Sequence, residues 1–105
     1  MTDAEQVQAW YESHRSALAA EFARTELRVY NAEHSLDGKV CIALEGNQVT
    51  ATITFWNKGD VEVQRLDLQG NDDPVVIDDR KRSTDESVAS LLDGYLEAIR
   101  RLSDR

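Results

Sequence analysis

Apolar and aromatic side chains recur at three- and four-residue spacing near the amino end, which is the period of one face of an α-helix. Thr2 and Glu5 precede the pattern with the spacing of a capping box, a common way for a helix to begin. The pattern ends near Ala23. Its members are Val7, Trp10, Tyr11, His14, Leu18 and Phe22. We therefore predict an amphipathic first helix.

A second stretch with helical period closes the chain. It follows Ser83 and Glu86, which again have capping-box spacing. Gly94 lies inside this stretch, and we expect its missing side chain to let the helix approach the sheet or the first helix closely. The apolar stripe consists of Val88, Leu91, Leu92, Tyr95, Leu96, Ile99 and Leu102. The pattern predicts a second amphipathic helix.

Between these helices the period changes to about two, which is typical of β-strands that bury one face. Turn-forming residues interrupt the pattern at short intervals, as in the Gly46-Asn47 pair. The predicted strands cover residues 26–33, 39–45, 49–56, 61–68 and 75–77. The last is short, is led by Pro74 and runs into charged residues, as suits the edge of a sheet.

The fourth predicted strand changes phase along its length. Val61 and Val63 share one parity, whereas Leu66 and Leu68 have the other. A bulge near residues 64–65 would return all four side chains to one face.

These elements predict an α+β fold in two layers. The order is a helix, an antiparallel meander of four to five strands, and a helix, because short connections place consecutive strands side by side. Both helices are expected to cover the same sheet face. With 105 residues and no linker, we expect one domain over residues 1–105.

Charge narrows the range of partners. Acidic residues outnumber basic ones 20 to 12, and the net charge is −8. Such a field repels phosphate backbones and anionic lipids, so we expect neither nucleic acid nor membrane as a partner, and a basic protein surface is favoured. Cys41 alone cannot form an internal disulfide, and the acidic first residues resemble no targeting signal. We expect a cytoplasmic protein.

No pattern of catalytic or metal-binding residues stands out. His14, His34 and Cys41 lack ligand spacing, and the acidic doublets 72–73 and 78–79 lack the order of a calcium loop. No activated nucleophile or glycine-rich phosphate loop is visible. We therefore predict no enzyme activity, no metal and no cofactor.

The sheet face that the helices leave uncovered is the predicted interaction surface. It mixes small, hydroxylated and charged side chains with a tryptophan, a composition expected of a recognition surface, although an antiparallel sheet can also simply face water. The prediction also includes Asp72 and Asp73, which lie in an acidic loop and could contact a basic partner. The candidate partner-binding residues are Tyr30, Thr52, Thr54, Trp56, Asp60, Glu62, Asp72 and Asp73.

The segment 51–63, with its Trp56-Asn57-Lys58-Gly59-Asp60 turn, is followed by Leu66-Asp67. Together with Trp10 on the leading helix and the closing amphipathic helix, it resembles the TriTu-type immunity proteins. The resemblance implies a stoichiometric inhibitor of a cognate antibacterial toxin, an ADP-ribosyltransferase aimed at elongation factor Tu. Polymorphic or type VI secretion systems deliver such toxins. The resemblance implies no catalytic residues.

Two other functions stay open from the sequence. A small acidic secretion chaperone or adaptor would have the same size and charge and would be dimeric, whereas an immunity protein is expected to be a monomer or a weak dimer. An enzyme with a scattered site around Tyr30, Trp56 and Glu62 is the third alternative, although no base, nucleophile or anion cradle accompanies these residues.

Overall fold

The computed structural model describes residues 3–30, 38–47, 49–67, 74–83 and 85–103. The predictions for Thr2, His34, Leu68, residues 31–33 and the acidic doublet 72–73 lie outside these residues, as does the side chain of Leu102. The elements are α1 (Asp3–Glu21), β1 (Arg24–Tyr30), β2 (Lys39–Glu45), β3 (Val49–Trp56), β4 (Asp60–Asp67), β5 (Val75–Lys81) and α2 (Val88–Ser103).

The five strands form one antiparallel sheet in the order β1-β2-β3-β4-β5. This confirms the predicted α+β meander between two helices. The bounds predicted for β2 and β3 match to the residue, and β1 begins at Arg24, before its predicted start. β5 is longer than predicted because its charged half, up to Lys81, continues the pairing with β4.

Both helices cover one face of the sheet, as predicted. α1 packs against α2, β1 and β2, and α2 packs against β3. Side chains of one parity from β2, β3 and β4 meet the helix stripes there, and Phe55, Ile42 and Leu92 are among the largest that are fully buried. The buried cluster consists of Ala4, Val7, Trp10, Tyr11, Leu18, Phe22, Val40, Ile42, Leu44, Ala51, Ile53, Phe55, Val61, Val63, Val88, Leu92, Tyr95, Leu96 and Ile99.

A polar contact joins the two helices above this core. The indole N–H of Trp10 donates to Asp93 Oδ1 at 2.9 Å, which satisfies the polar atom of a side chain that is otherwise buried. The His14 ring stacks on Trp10 with a centroid distance of 4.2 Å, and its Nδ1 lies 2.9 Å from the Trp10 carbonyl oxygen. His14 therefore lies at the rim of the core, half-buried and hydrogen-bonded.

Two ion pairs fasten α1 to later parts of the chain. Arg82, which follows β5, donates to Asp3 at the start of α1. Arg100 in α2 donates to both carboxylate oxygens of Glu21 at 2.6–2.9 Å, and this carboxylate raises the pKa of Arg100. The Arg100 pair is partly exposed, so its main effect is to fix the alignment of the helices rather than to add much stability.

The register between β4 and β5 breaks between Val63 and Gln64, close to the predicted bulge. However, the additional residue is Ile77 in β5, and it packs against the core. β4 pairs with β3 without interruption, so Leu66 stays on the face opposite to Val63. The predicted return of Leu66 to the core face is therefore wrong. The bulge lies in the edge strand β5 because this strand pairs with one neighbour, β4, and an extra residue there disturbs one ladder of hydrogen bonds instead of two.

Helix α2 begins later than its capping box suggests. Ser83 and Glu86 do interact, since the Ser83 N–H donates to Glu86 Oε1 at 2.9 Å, but they close a separate turn ahead of the helix. Ser87 caps α2, with its hydroxyl oxygen 3.4 Å from the Ser90 N–H and its carbonyl oxygen accepting from the Leu91 N–H at 3.0 Å.

Gly94 does not mark a close approach. It is exposed on α2, and a Cβ atom built there would meet no atom of the sheet or of α1 within 4 Å. Gly59 is different, because its φ of +102° in the β3–β4 turn suits glycine alone. The first glycine therefore weakens the helix, whereas the second makes the hairpin possible.

The two glycines give opposite predictions. Gly94→Ala should raise the free energy of unfolding by about 0.5–1 kcal/mol, because alanine restricts the unfolded chain and favours the helix. Gly59→Ala should lower it by about 1–2 kcal/mol, because a side chain is strained at positive φ. Urea denaturation of the two variants beside the wild type measures both changes. Shifts in the same direction would contradict this assignment.

The stability of the fold depends on pH through the carboxylate of Glu86. Arg80 donates to both of its carboxylate oxygens at 2.7 Å, and this bond, followed by the Ser83 N–H, lowers the Glu86 pKa to about 2. A carboxylate with a lowered pKa stabilises the fold above its ordinary value of 4.5 and loses that effect as the pH falls toward 2.

We therefore expect Glu86→Gln to lower the free energy of unfolding at neutral pH. The difference from wild type should stay constant above about pH 5 and shrink at more acidic pH, because protonation then removes the same interaction. Denaturation curves over a pH series measure it. In an Arg80→Gln background the Glu86→Gln change should have a smaller effect, and an equal effect would show that Arg80 is not the cause.

Candidate functional site

The sheet face opposite the helices, here called the open face, is built from cross-strand rows. Its members follow from the pairing and from the alternation of side chains along each strand. The first row contains Tyr30, Lys39, Trp56, Asp60 and Lys81, the second Arg28, Cys41, Thr54, Glu62 and Asp79, and the third Glu26, Ala43, Thr52, Gln64 and Val76. The open face therefore draws on all five strands.

Most of the predicted partner-binding residues come together on this face. Tyr30, Trp56 and Asp60 share the first row, while Thr54 and Glu62 share the second. Thr52 lies in the third row and is exposed. The remaining two candidates, Asp72 and Asp73, lie outside the described residues, so their position relative to this face stays a prediction.

Lys39 lies between the two aromatic rings of the first row. Its Nζ atom is 5.3 Å from the Tyr30 ring centroid and 5.7 Å from the Trp56 ring. Both distances are within the range of cation–π attraction, which orients the lysine side chain along the sheet. Tyr30 is 44% exposed and Trp56 is half-buried, so both rings still offer surface to a partner.

The predicted carboxylates have nearby polar partners. Asp60 Oδ2 lies 3.2 Å from Lys58 Nζ, and Glu62 Oε1 accepts from the Gln64 side chain at 2.9 Å. In the third row Glu26 accepts from Arg28 at 2.9 Å, and this bond lowers the pKa of Glu26. The open face therefore mixes both signs of charge, and the acidic excess of the chain is not concentrated there.

Two side chains in the middle of the open face are buried. Thr54 is 8% exposed and Cys41 is 9% exposed, although neither faces the helices. The Cys41 thiol is therefore a packing group, as predicted from its place in mid-strand. Among the predicted threonines, the exposed hydroxyl is that of Thr52.

A small depression lies at the other end of the open face, away from the β3–β4 turn. Its volume is about 180 Å³, and Thr50, Gln64 and Leu66 line it together with Pro74. This is below the roughly 300 Å³ at which pockets for drug-sized ligands begin. The depression is suited to receive a protruding side chain rather than to enclose a substrate.

Sequence reasoning missed the two lysines of the first row. Lys39 has the parity of Cys41 in β2, so alternation alone would have placed it on the open face. Lys81 required the structure, because the residues beyond 77 were not predicted to form a strand and the bulge at Ile77 changes the parity of β5.

The described part of the chain contains no group of three or more His, Cys, Asp or Glu side chains placed to hold a metal ion. In addition, none of its helices has the length and apolar content that a membrane crossing requires.

Comparison with known proteins identifies a family. The model of the family described as "Immunity protein TriTu" matches residues 5–98, which extend from the first helix through the sheet into α2. No curated protein and no solved structure matches the chain.

Proposed function

We propose that this chain, which belongs to the TriTu family of immunity proteins, neutralises one cognate antibacterial toxin by binding it in a one-to-one complex. Membership of this family, whose model matches residues 5–98, supports the immunity role. Direct binding is the proposed means, because such a small domain has little room for both a core and an enclosed active site. We propose that it acts in the cytoplasm of the producing cell as a monomer or weak dimer.

The toxin is proposed to be an ADP-ribosyltransferase delivered by a type VI or related secretion system. This proposal is supported by the resemblance of the Trp56–Asp60 turn and its flanking strands to TriTu-type proteins. The net charge of −8 favours a toxin with a basic surface, because opposite charge speeds the encounter of two proteins.

The open face is the proposed toxin-binding surface, and its half-buried tryptophan is the observation that carries this proposal. Interfaces draw much of their affinity from a few central aromatic side chains, and Trp56 shares its row with the exposed ring of Tyr30, with Lys39 between the two. Thr52, Asp60 and Glu62 would surround them with polar contacts. Thr54 is largely covered and would support the surface from beneath.

The first experiment is co-expression with the protein encoded by the neighbouring gene. A one-to-one complex, together with restored growth of cells that make the toxin, would support immunity by binding. Co-purification with a partner that is not toxic would favour the secretion chaperone instead. If a toxic partner is neither bound nor inhibited, the proposed function is wrong.

The Trp56→Ala variant should weaken toxin binding by about thirtyfold or more, which corresponds to the loss of one central aromatic contact. Calorimetry or biolayer interferometry with the purified toxin measures the change. The variant should keep its urea midpoint near that of the wild type, because Trp56 is not part of the buried cluster. If this variant binds the toxin as tightly as the wild type does, the open face is not the toxin-binding surface.

Glu62→Lys should also weaken toxin binding, because it reverses a charge that is proposed to face a basic group. Glu12→Lys on α1 is the matched control, since it makes the same charge change at a side chain that is 63% exposed and lies away from the sheet. Equal effects of both variants on affinity would mean that net charge alone matters, and Glu62 would then not be a contact residue.

A further inference from the structure

Among the described residues, lysines outnumber carboxylates at the end of the open face near the β3–β4 turn, although the chain carries a net charge of −8. Lys39 and Lys81 lie in the first row with two aromatic rings, and this group of Tyr30, Lys39, Trp56 and Lys81 is called the turn-end corner. Asp60, the anionic member of the row, is the register partner of Lys81 and has Lys58 Nζ within 3.2 Å. The local charge of the turn-end corner is therefore opposite to that of the whole protein.

These two lysines differ from the other cations on the open face. Arg28 pairs with Glu26, and Arg24 pairs with Glu45, both across distances of 4.0 Å or less. Among the residues that the structure describes, no carboxylate forms an ion pair with Lys39, which contacts the two rings instead. Its ammonium group therefore has hydrogen-bond donors that no described side chain uses.

The rings make Lys39 a better contact than a free surface lysine. A lysine normally loses much side-chain freedom when it forms an ion pair, which is why exposed pairs contribute little. Here the cation–π contacts already hold the side chain, so less freedom remains to be lost on binding. A partner that covers Trp56 would also exclude water from the ammonium group and strengthen its bond to an anion.

The second row has the opposite sign. Glu62 and Asp79 lie beside each other in paired strands, one row away from Lys39 and Lys81. The open face is thus polarised between the lysines of the first row and the carboxylates of the second. Asp60 in the first row and Arg28 in the second carry the minority charge of each row, and both have ion-pair partners. A partner must present the opposite charges in the same order. This requirement fixes the orientation of the partner more strictly than a uniformly acidic face would.

We propose that the turn-end corner binds an acidic segment of the toxin, with one toxin carboxylate on Lys39 Nζ and apolar parts of the segment against Trp56 and Tyr30. This inference rests on the proposed toxin-binding function. The inference adds a detail to that function: the toxin, whatever its overall charge, presents an acidic group at the turn-end corner and basic groups opposite the second row. The net charge of the chain governs how fast the two proteins meet, and the turn-end corner determines the orientation in which the toxin binds.

The test compares Lys39→Glu with Arg101→Glu, using the purified toxin in each case. The two changes alter net charge equally, and Arg101 is a control on α2 with a side chain that is 77% exposed. Lys39→Glu should weaken binding about tenfold or more, mainly through faster dissociation, because it places a carboxylate against the acidic segment. Arg101→Glu should stay within about twofold of wild type, as expected for a charge outside the interface. Lys39→Arg, which keeps the charge on the rings, should retain most of the affinity.

A second set of variants identifies the toxin group. Reversing acidic residues of the toxin one at a time to lysine should produce one variant that binds Lys39→Glu better than it binds the wild type. If Lys39→Glu binds as tightly as Arg101→Glu while Trp56→Ala binds weakly, the acidic segment is wrong and the open face remains the interface. If the wild-type chain binds no toxin, the proposed function itself fails and this inference with it.

Discussion

The burial of one sheet face under two helices is the constraint on which the rest of this protein depends. A β-strand sends successive side chains to opposite faces, so each strand can give every second residue to the core. In β3, Ile53 and Phe55 are buried under the helices, while Thr52 and Trp56 point away from them. A chain of 105 residues needs nearly all of its apolar surface for that core. The face left over is then available for binding.

The antiparallel meander carries this division across the whole sheet. Each register aligns the core parity of one strand with that of the next, so the face of Ile42 and Ile53 continues to Val63. The same registers assemble the open face from residues that are far apart in sequence, such as Tyr30 and Lys81. The helices hold this arrangement through Trp10 and Asp93, whose hydrogen bond sits above the core.

Charge has separate roles in different parts of the molecule. Arg80 with Glu86 and Arg100 with Glu21 hold the helix layer in place. On the open face, in contrast, Lys39 contacts two aromatic rings, and none of the carboxylates that the structure describes pairs with it. An immunity protein must recognise one toxin and ignore others, and specificity of this kind is obtained from the local pattern of charge rather than from its sum. In the function that we propose, the polarised open face provides such a pattern.

The sequence by itself determined the order of elements, the α+β class, the core parity of β2 and β3, and Trp56 on the uncovered face. Each of these follows from local periodicity, which the chain carries in its own residues. The tertiary structure decided what depends on pairing: the bulge at Ile77, the continued strand to Lys81 and the position of Leu66. It also decided that Lys39 lies between Tyr30 and Trp56, because distances across strands are set by register and not by sequence spacing.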